Sequence, residues 1–424
     1  LGLLAASGAL SRRSFPDALV VGELSLDGSL HPARGVLPMA VTAARHGITH
    51  VLLPPANAPE AALVPGLRVL PAATLAAAVG ILRDPAAAPV HPPAPRRVAA
   101  GPDLDLRDVR GQVLARRAVE IAAAGGHHLL LCGPPGAGKT MLARRLPGLL
   151  PPLTDEEAIE TTAIHSVAGL LPGGSGLVTR RPFRAPHHTI SDVALVGGGA
   201  WPRPGEISLA HHGVLFLDEL AEFAPHVLDA LRQPLEEHQV RVARAAATVT
   251  FPARFLLVAA MNPCPCGHGG QPGGGRCTEG ARLRYQRRLS GPLLDRFDLR
   301  VEVQRPSPDD LFTAEPGEPS APVAARVRGA RALAEGRGVR CNADLPARRL
   351  DEVGPLDEPA TALLLDALRS GRLSARGLHR VRRVARTVAD LDGAPHQLGL
   401  RHVALALSLR VDPSLSAAAQ AVAG

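Results

Sequence analysis

Two periodicities divide the chain. Short apolar runs of strand length alternate with stretches whose apolar residues recur every three or four positions, a pattern of buried strands between helices. Leu19–Leu24 reads as a strand, Leu26–Leu30 as a second strand turning at Asp27-Gly28, Leu37–His46 as a helix and Val51–Pro54 as another strand. Residues 83–102 are rich in Pro and Ala, lack periodicity and read as a linker. Then come an amphipathic helix over Val109–Ala123, an apolar strand ending at Cys132, and a helix opening near Thr140. Thr154 and Glu157 form a capping box at the head of a further helix. Gly213–Leu217 and Arg254–Met261 are apolar strands, Val240–Phe251 alternates as a hairpin carrying Arg241 and Arg244, and Leu299–Val303 is the last strand. A second linker spans 306–322. Beyond it all is helical: Leu378, Val381, Val384, Ala385, Val388 and Leu391 keep one face, Arg380, Arg382, Arg383 and Arg386 take others, and Leu405–Leu409 closes the core.

The chemistry gathers where strands end. Gly133-Pro134-Pro135-Gly136-Ala137-Gly138-Lys139-Thr140-Met141 sits between strand and helix and satisfies the phosphate-loop pattern G-x-x-x-x-G-K-[ST]. Its glycines let backbone N–H groups wrap phosphates, and the new helix points its positive end at them. Lys139 can neutralise the β and γ phosphates of ATP, and the Thr140 hydroxyl can ligate Mg2+. Lys139 is the only lysine in the chain; every other basic residue is arginine. Such a bias spares lysine only where a compact ammonium is required. About eighty residues on, an apolar strand ends in Asp218-Glu219. Asp218 would hold the magnesium and Glu219 would orient or deprotonate the attacking water.

Composition narrows the picture further. The chain carries 43 glycines and 41 prolines, 46% hydrophobic, 20% charged and only 2% aromatic residues, so its cores rest on Leu, Val and Ala. A formal charge of +8 suits nucleic acid or another polyanion, and arginine bias alone also raises it. Five cysteines make no disulfide framework and point to a reduced, cytoplasmic setting. No apolar run reaches membrane-spanning length and no leader is visible, so no membrane partner is expected. The first residue is Leu, which suggests a missing start.

Several segments resemble a known family. Pro182-Phe183-Arg184-Ala185-Pro186-His187-His188-Thr189, Gly197-Gly198-Gly199 and Pro204–His211 run directly into the acidic strand. This order is similar to the magnesium-chelatase-like AAA+ ATPases and, within them, to the ComM/YifB family. The resemblance implies a P-loop AAA+ core of parallel sheet and helices, a C-terminal helical lid, and sensor 1 at Asn262. It implies a trans-acting arginine finger at Arg296 in Gly291–Asp298, and sensor 2 at Arg376 in Leu373–Gly377. It also implies a homo-hexamer, a ring-pore insert within 180–212, and a role in DNA branch migration during natural transformation. Gly22–Gly28, Arg34–Pro38 and Leu53–Asn57 resemble the C-terminal half of a Lon-type protease domain. Leu37 stands where the Lon lysine would be, so a structural or docking role is expected, not proteolysis. The expected domains are a truncated α+β Lon-like unit over 1–82, a linker over 83–102, the ATPase core over 103–305, a linker over 306–322 and the lid over 323–424.

Two readings of function follow: a DNA-moving ATPase, or a protein-remodelling motor like the magnesium-chelatase ATPase subunit. The same core motifs serve both. Cys264, Cys266 and Cys277, with His268 nearby, are zinc-ligand types at an awkward C-x-C-x-H spacing, and zinc is the less favoured reading. Cys132 and Cys341 read as core fillers. The pairs His187-His188 and His211-His212 are read as pore-loop and packing residues before metal ligands. Arg241 and Arg244 face DNA, a neighbouring subunit or plain solvent.

Overall fold

The computed structural model describes residues 1–10, 18–84, 86, 88–92, 104–171, 176–199, 202–243, 248–267, 277–307, 312, 315–393 and 396–410. Their contacts form two compact units, residues 1–100 with 152–180 and residues 101–151 with 181–424.

In the first unit, three parallel strands lie in the order Ala18–Val20, His50–Leu53, Arg68–Pro71. Strand alternation sets both faces. Val51, Leu53 and Val69 pack with Val36, Leu37 and Ala40 of the helix Val36–Arg45. Leu52 and Leu70 pack on the opposite side with Ala78 and Leu82 of the helix Leu75–Arg83. Each buried leucine contributes about 1.5–3 kcal/mol. Leu37 is fully buried, and its N–H donates to Glu60 Oε1 at 3.0 Å. Leu37 is thus a core position. Asn57 pins the preceding loop by accepting from Ala33 N–H and donating to Ala33 O, both at 3.0 Å.

Two expectations change here. The stretch 19–24 is not one strand: Ala18–Val20 enters the sheet, while Glu23–Leu24 pairs antiparallel with Leu30–His31. Asp27 Oδ1 tightens that turn by accepting from Ser29 N–H (3.0 Å) and Ser29 Oγ–H (2.7 Å). The helix Asp155–Ala168 has the expected capping box, Thr154 with Glu157. Yet it packs in this first unit, not in the 103–305 core. Its Ala163 joins the core beneath helix Val36–Arg45, and its Ser166 hydroxyl donates to Glu60.

The second unit holds a five-stranded sheet: β1 (Leu129–Cys132), β2 (Phe183–Arg184), β3 (Val214–Leu217), β4 (Leu256–Met261) and β5 (Leu299–Glu302). The order is β5-β1-β4-β3-β2 and every pairing is parallel. β1, β3 and β4 are buried at every residue, which explains their unbroken apolar runs. Helices α1 (Val113–Gly125) and α2 (Lys139–Leu149) cover the sheet. α1 starts later than Val109 because Leu106–Asp108 forms a 3-10 turn and Gln112 is left-handed at φ 52°.

The C-terminal helices α3 (Ser320–Gly336), α4 (Glu358–Arg369), α5 (Ala375–Leu391) and α6 (Leu400–Ser408) share one core with the sheet. α5 follows its expected stripe at Val381, Val384, Ala385 and Val388. Not all of its arginines lie at the surface. Arg382 and Arg386 are buried, and the Arg386 guanidinium pairs with Asp390 at 2.9 Å. Asp390 also accepts from Arg337 and Asn342. Helical packing on several sides of α5 explains this: a buried charge persists only when paired and hydrogen-bonded.

Candidate nucleotide site

Parallel strands bring their C-terminal ends to one sheet edge, where ligands of α/β sheets bind. Here those ends lead to Gly133, Asp218 and Asn262. Gly133 is fixed between neighbours: its N–H donates to Met261 O at 3.1 Å, and an added Cβ would lie 2.0 Å from Val303 O. Gly138 caps α2 with a left-handed φ of 87°. α2 then presents its free N–H groups and positive end toward the loop.

Lys139 is buried, and its Nζ donates to Gly133 O (2.6 Å), Pro134 O (2.9 Å) and Asn262 Oδ1 (3.2 Å). Desolvation lowers its pKa, against the attraction of Asp218 and Glu219. The Thr140 hydroxyl donates to Asp218 Oδ2 at 2.8 Å. Two hard oxygen donors therefore meet beside an ammonium, a donor set that fits Mg2+ with a phosphate. Thr140 and Asp218 would hold the ion, and it would neutralise charge on the phosphates. Asp218 Oδ1 accepts from Glu219 N–H at 3.0 Å, and Glu219 is left-handed at φ 52°. For a non-glycine residue this conformation costs about 1 kcal/mol or more and suits a side chain aimed for function. The Glu219 carboxylate is 56% exposed and lies 3.4 Å from His188 Nδ1. His188 packs tilted against His187, ring centroids 4.1 Å apart, and sits edge-on to Phe223.

Two hydrogen-bonded pairs, Lys139 with Asn262 and Thr140 with Asp218, are thus set side by side by the adjacency of Lys139 and Thr140, with Glu219 attached through Asp218. Arg296 and Arg376 are not in this network. Arg296 is ion-paired with Glu236 of its own chain and donates to Pro292 O at 3.3 Å. Arg376 is exposed on the first turn of α5 and makes no hydrogen bond or ion pair among the described residues. Arg241 is exposed on the hairpin Gln239–Ala243 and Thr248–Pro252, while Val240 and Val242 are buried; Arg244 lies outside the described residues. In the other histidine pair, His211 is buried and its Nδ1 accepts from Arg254 N–H at 3.0 Å.

A second set of residues was not legible from spacing. His127, just before β1, is fully buried between Thr387 of α5 (2.8 Å) and Asp298 (3.5 Å). Arg380 of α5 donates to the same Asp298 and to Arg296 O (3.1 Å). Burial alone would raise the Asp298 pKa, but His127 and Arg380 hold it well below the carboxylate range. The network ties α5 to the head of β1 and to the Arg296 segment.

His128 has a titration consequence. Burial pushes its pKa down to about 4, and its Nδ1 already accepts from Leu257 N–H at 3.1 Å. It keeps some exposed surface, but its accepting nitrogen must stay unprotonated to hold that bond. A folded pKa below the unfolded one means stability present above about pH 6.5 and lost as pH falls toward 4. From pH 7 to pH 5 the His128 contribution drops by about 2 kcal/mol. His128→Asn, whose amide oxygen can accept the same bond, should show a flatter urea-midpoint profile over that interval. Parallel profiles for the two proteins would refute the assignment.

Comparison with known proteins adds the following. Residues 105–311 match the family described as magnesium chelatase, subunit ChlI. Residues 317–410 match the ChlI C-terminal family, and residues 1–57 a further ChlI family. The chain is 48% identical over 403 residues to an uncharacterised protein of Mycobacterium tuberculosis, covering 93% of this chain and 78% of that protein. It is 45% identical over 394 residues to protein YifB of Escherichia coli, covering 92% and 77%. It is also 45% identical over 418 residues to competence protein ComM of Haemophilus influenzae, covering 97% and 81%.

Proposed function

The chain belongs to the ComM/YifB group of magnesium-chelatase-like AAA+ ATPases, and from that premise we propose that it is a ring-forming motor that spends ATP to move along DNA. One observation carries the catalytic half: Lys139 is hydrogen-bonded to Asn262 and its neighbour Thr140 to Asp218, at the C-terminal edge of a parallel sheet. Lys139 and the loop N–H groups bind the phosphates, and Asn262 and Glu219 flank the place of the attacking water. Arg296 serves the neighbouring subunit's γ-phosphate once it leaves Glu236, and Arg376 adds a lid contact. The active form is a homo-hexamer in the cytoplasm. The positive charge of the chain, the exposed Arg241 and the competence protein among its relatives support DNA as substrate. No helix among the described residues is long and apolar enough to cross a membrane.

The ChlI family descriptions favour one alternative, a remodelling ATPase that acts on a partner protein. A synthetic four-way DNA junction separates the two: the DNA motor resolves it into duplex arms with ATP, whereas a remodelling ATPase turns ATP over and leaves it intact.

The trans role of Arg296 gives a sharper expectation. An arginine finger is worth about 10³–10⁵ in turnover. Mixing Arg296→Ala subunits into wild-type rings should therefore poison the neighbours' sites and depress turnover by more than simple dilution. A linear decline with mutant fraction would place Arg296 outside the reaction.

A further inference from the structure

The awkward cysteine spacing is resolved by the chain path. β4 leaves the sheet through Asn262, and Pro263-Cys264-Pro265-Cys266-Gly267 turns sharply, with Gly267 N–H donating to Cys264 O at 3.0 Å. Gly267 is left-handed at φ 75°, and a Cβ there would meet Pro135 Cδ at 2.5 Å, so the turn rests on the phosphate loop. Cys277 arrives immediately before the helix Glu279–Arg287. The three thiol sulfurs lie within 4.8 Å of one another, with Cys264 and Cys266 at 3.3 Å. A tetrahedral ion with bonds of about 2.3 Å sets its sulfurs about 3.8 Å apart, which fits this cluster.

The competing explanation is packing, since free cysteine often behaves as a small apolar side chain. Cys132 and Cys341 do behave so: both are buried, and desolvation raises both thiols, Cys132 to about 12. Cys266 and Cys277 are only partly buried, so filling a core does not explain their convergence on the buried Cys264. Three soft sulfur donors select a thiophilic divalent ion over magnesium or calcium.

We infer that Cys264, Cys266 and Cys277 form a zinc-class metal site that clamps the turn following Asn262 against the phosphate loop. The ion binds the three thiolates, releasing their protons to solvent, and water completes the fourth position. It lies outside the nucleotide chemistry and acts on it by holding the turn between Asn262 and Pro135. The inference does not depend on the motor reading, because its primary readout is metal content.

The test uses the full chain purified without a metal-binding tag. After incubation with zinc and desalting, elemental analysis should find about one zinc per chain. Cys266→Ser and Cys277→Ser change partly exposed positions and open no core cavity; each should lose the zinc, while Cys341→Ser keeps it. Cobalt in place of zinc should give a thiolate charge-transfer band in wild type and not in the two variants. A wild-type chain that holds no metal overturns the site. So does metal content unchanged in the Cys266→Ser, Cys277→Ser double variant, or a Cys264–Cys266 disulfide in protein kept under a glutathione buffer.

Discussion

Glu219→Gln leaves ATP bound and stops its hydrolysis. A glutamine has the same length, can keep the left-handed backbone at this position and can still meet His188. It cannot accept a proton from water, and general-base removal costs typically 10²–10⁴ in rate. Turnover should fall by at least about a hundredfold, while the affinity for a fluorescent ATP analogue stays within about threefold, because Lys139, Thr140 and Asp218 are untouched. The proposed ring should persist and live longer, since it would hold nucleotide that it cannot cleave. Normal turnover in this variant removes Glu219 from the reaction. Lost binding with normal protein stability would instead make it a ligand for the nucleotide.

Lys139→Arg is the second large effect, and it is the less intuitive one because this chain uses arginine at every other basic position. Lys139 Nζ meets three acceptors, two backbone carbonyls and Asn262 Oδ1, inside a pocket that leaves the residue 8% exposed. A guanidinium is planar and wider, and its fork cannot converge on that point without pushing the loop outward. A positive charge would remain near the phosphates but in the wrong place, so ATP affinity should drop about tenfold or more and turnover by about a hundredfold or more. Thermal stability in the absence of nucleotide should change little, since desolvation already disfavours the ammonium there. An arginine variant with wild-type kinetics would mean that only charge matters at this position, and the lone lysine would lose its functional explanation.

The parts of the site that could be read from the sequence are those where backbone and chemistry coincide. The phosphate loop needs glycines at set intervals, and the strands before Asp218 and Asn262 need unbroken apolar runs because both faces are covered. Order along the chain then implied that three strand ends share one edge. What could not be read is what depends on packing between distant segments. α5 carries five arginines, and their spacing does not tell the buried from the exposed: Arg386 and Asp390 are buried as a pair, and Asp390 is shared with Arg337 and Asn342 from elsewhere in the chain. The helix Asp155–Ala168 shows its cap plainly, yet nothing in its own residues says that it packs beneath Val36–Arg45 and not on the sheet beside it in sequence. The convergence of the cysteines was also not legible. C-x-C spacing says nothing of Cys277, whose sulfur lies within 4.8 Å of the other two in the fold. His188 beside Glu219 is a similar case: a residue already singled out in sequence acquires a specific partner only through the fold.

The central claim is that this ATPase works on DNA, and the most direct measurement is ATP turnover with and without single-stranded DNA across a range of salt. A motor that tracks the backbone through arginine contacts releases counterions on binding, so its stimulation by DNA should be strong at low salt and fade steeply as salt rises. Basal turnover should vary far less, because it needs no contact with the DNA backbone. Robust basal turnover that DNA fails to raise even at low salt would contradict the DNA reading and point to a protein substrate.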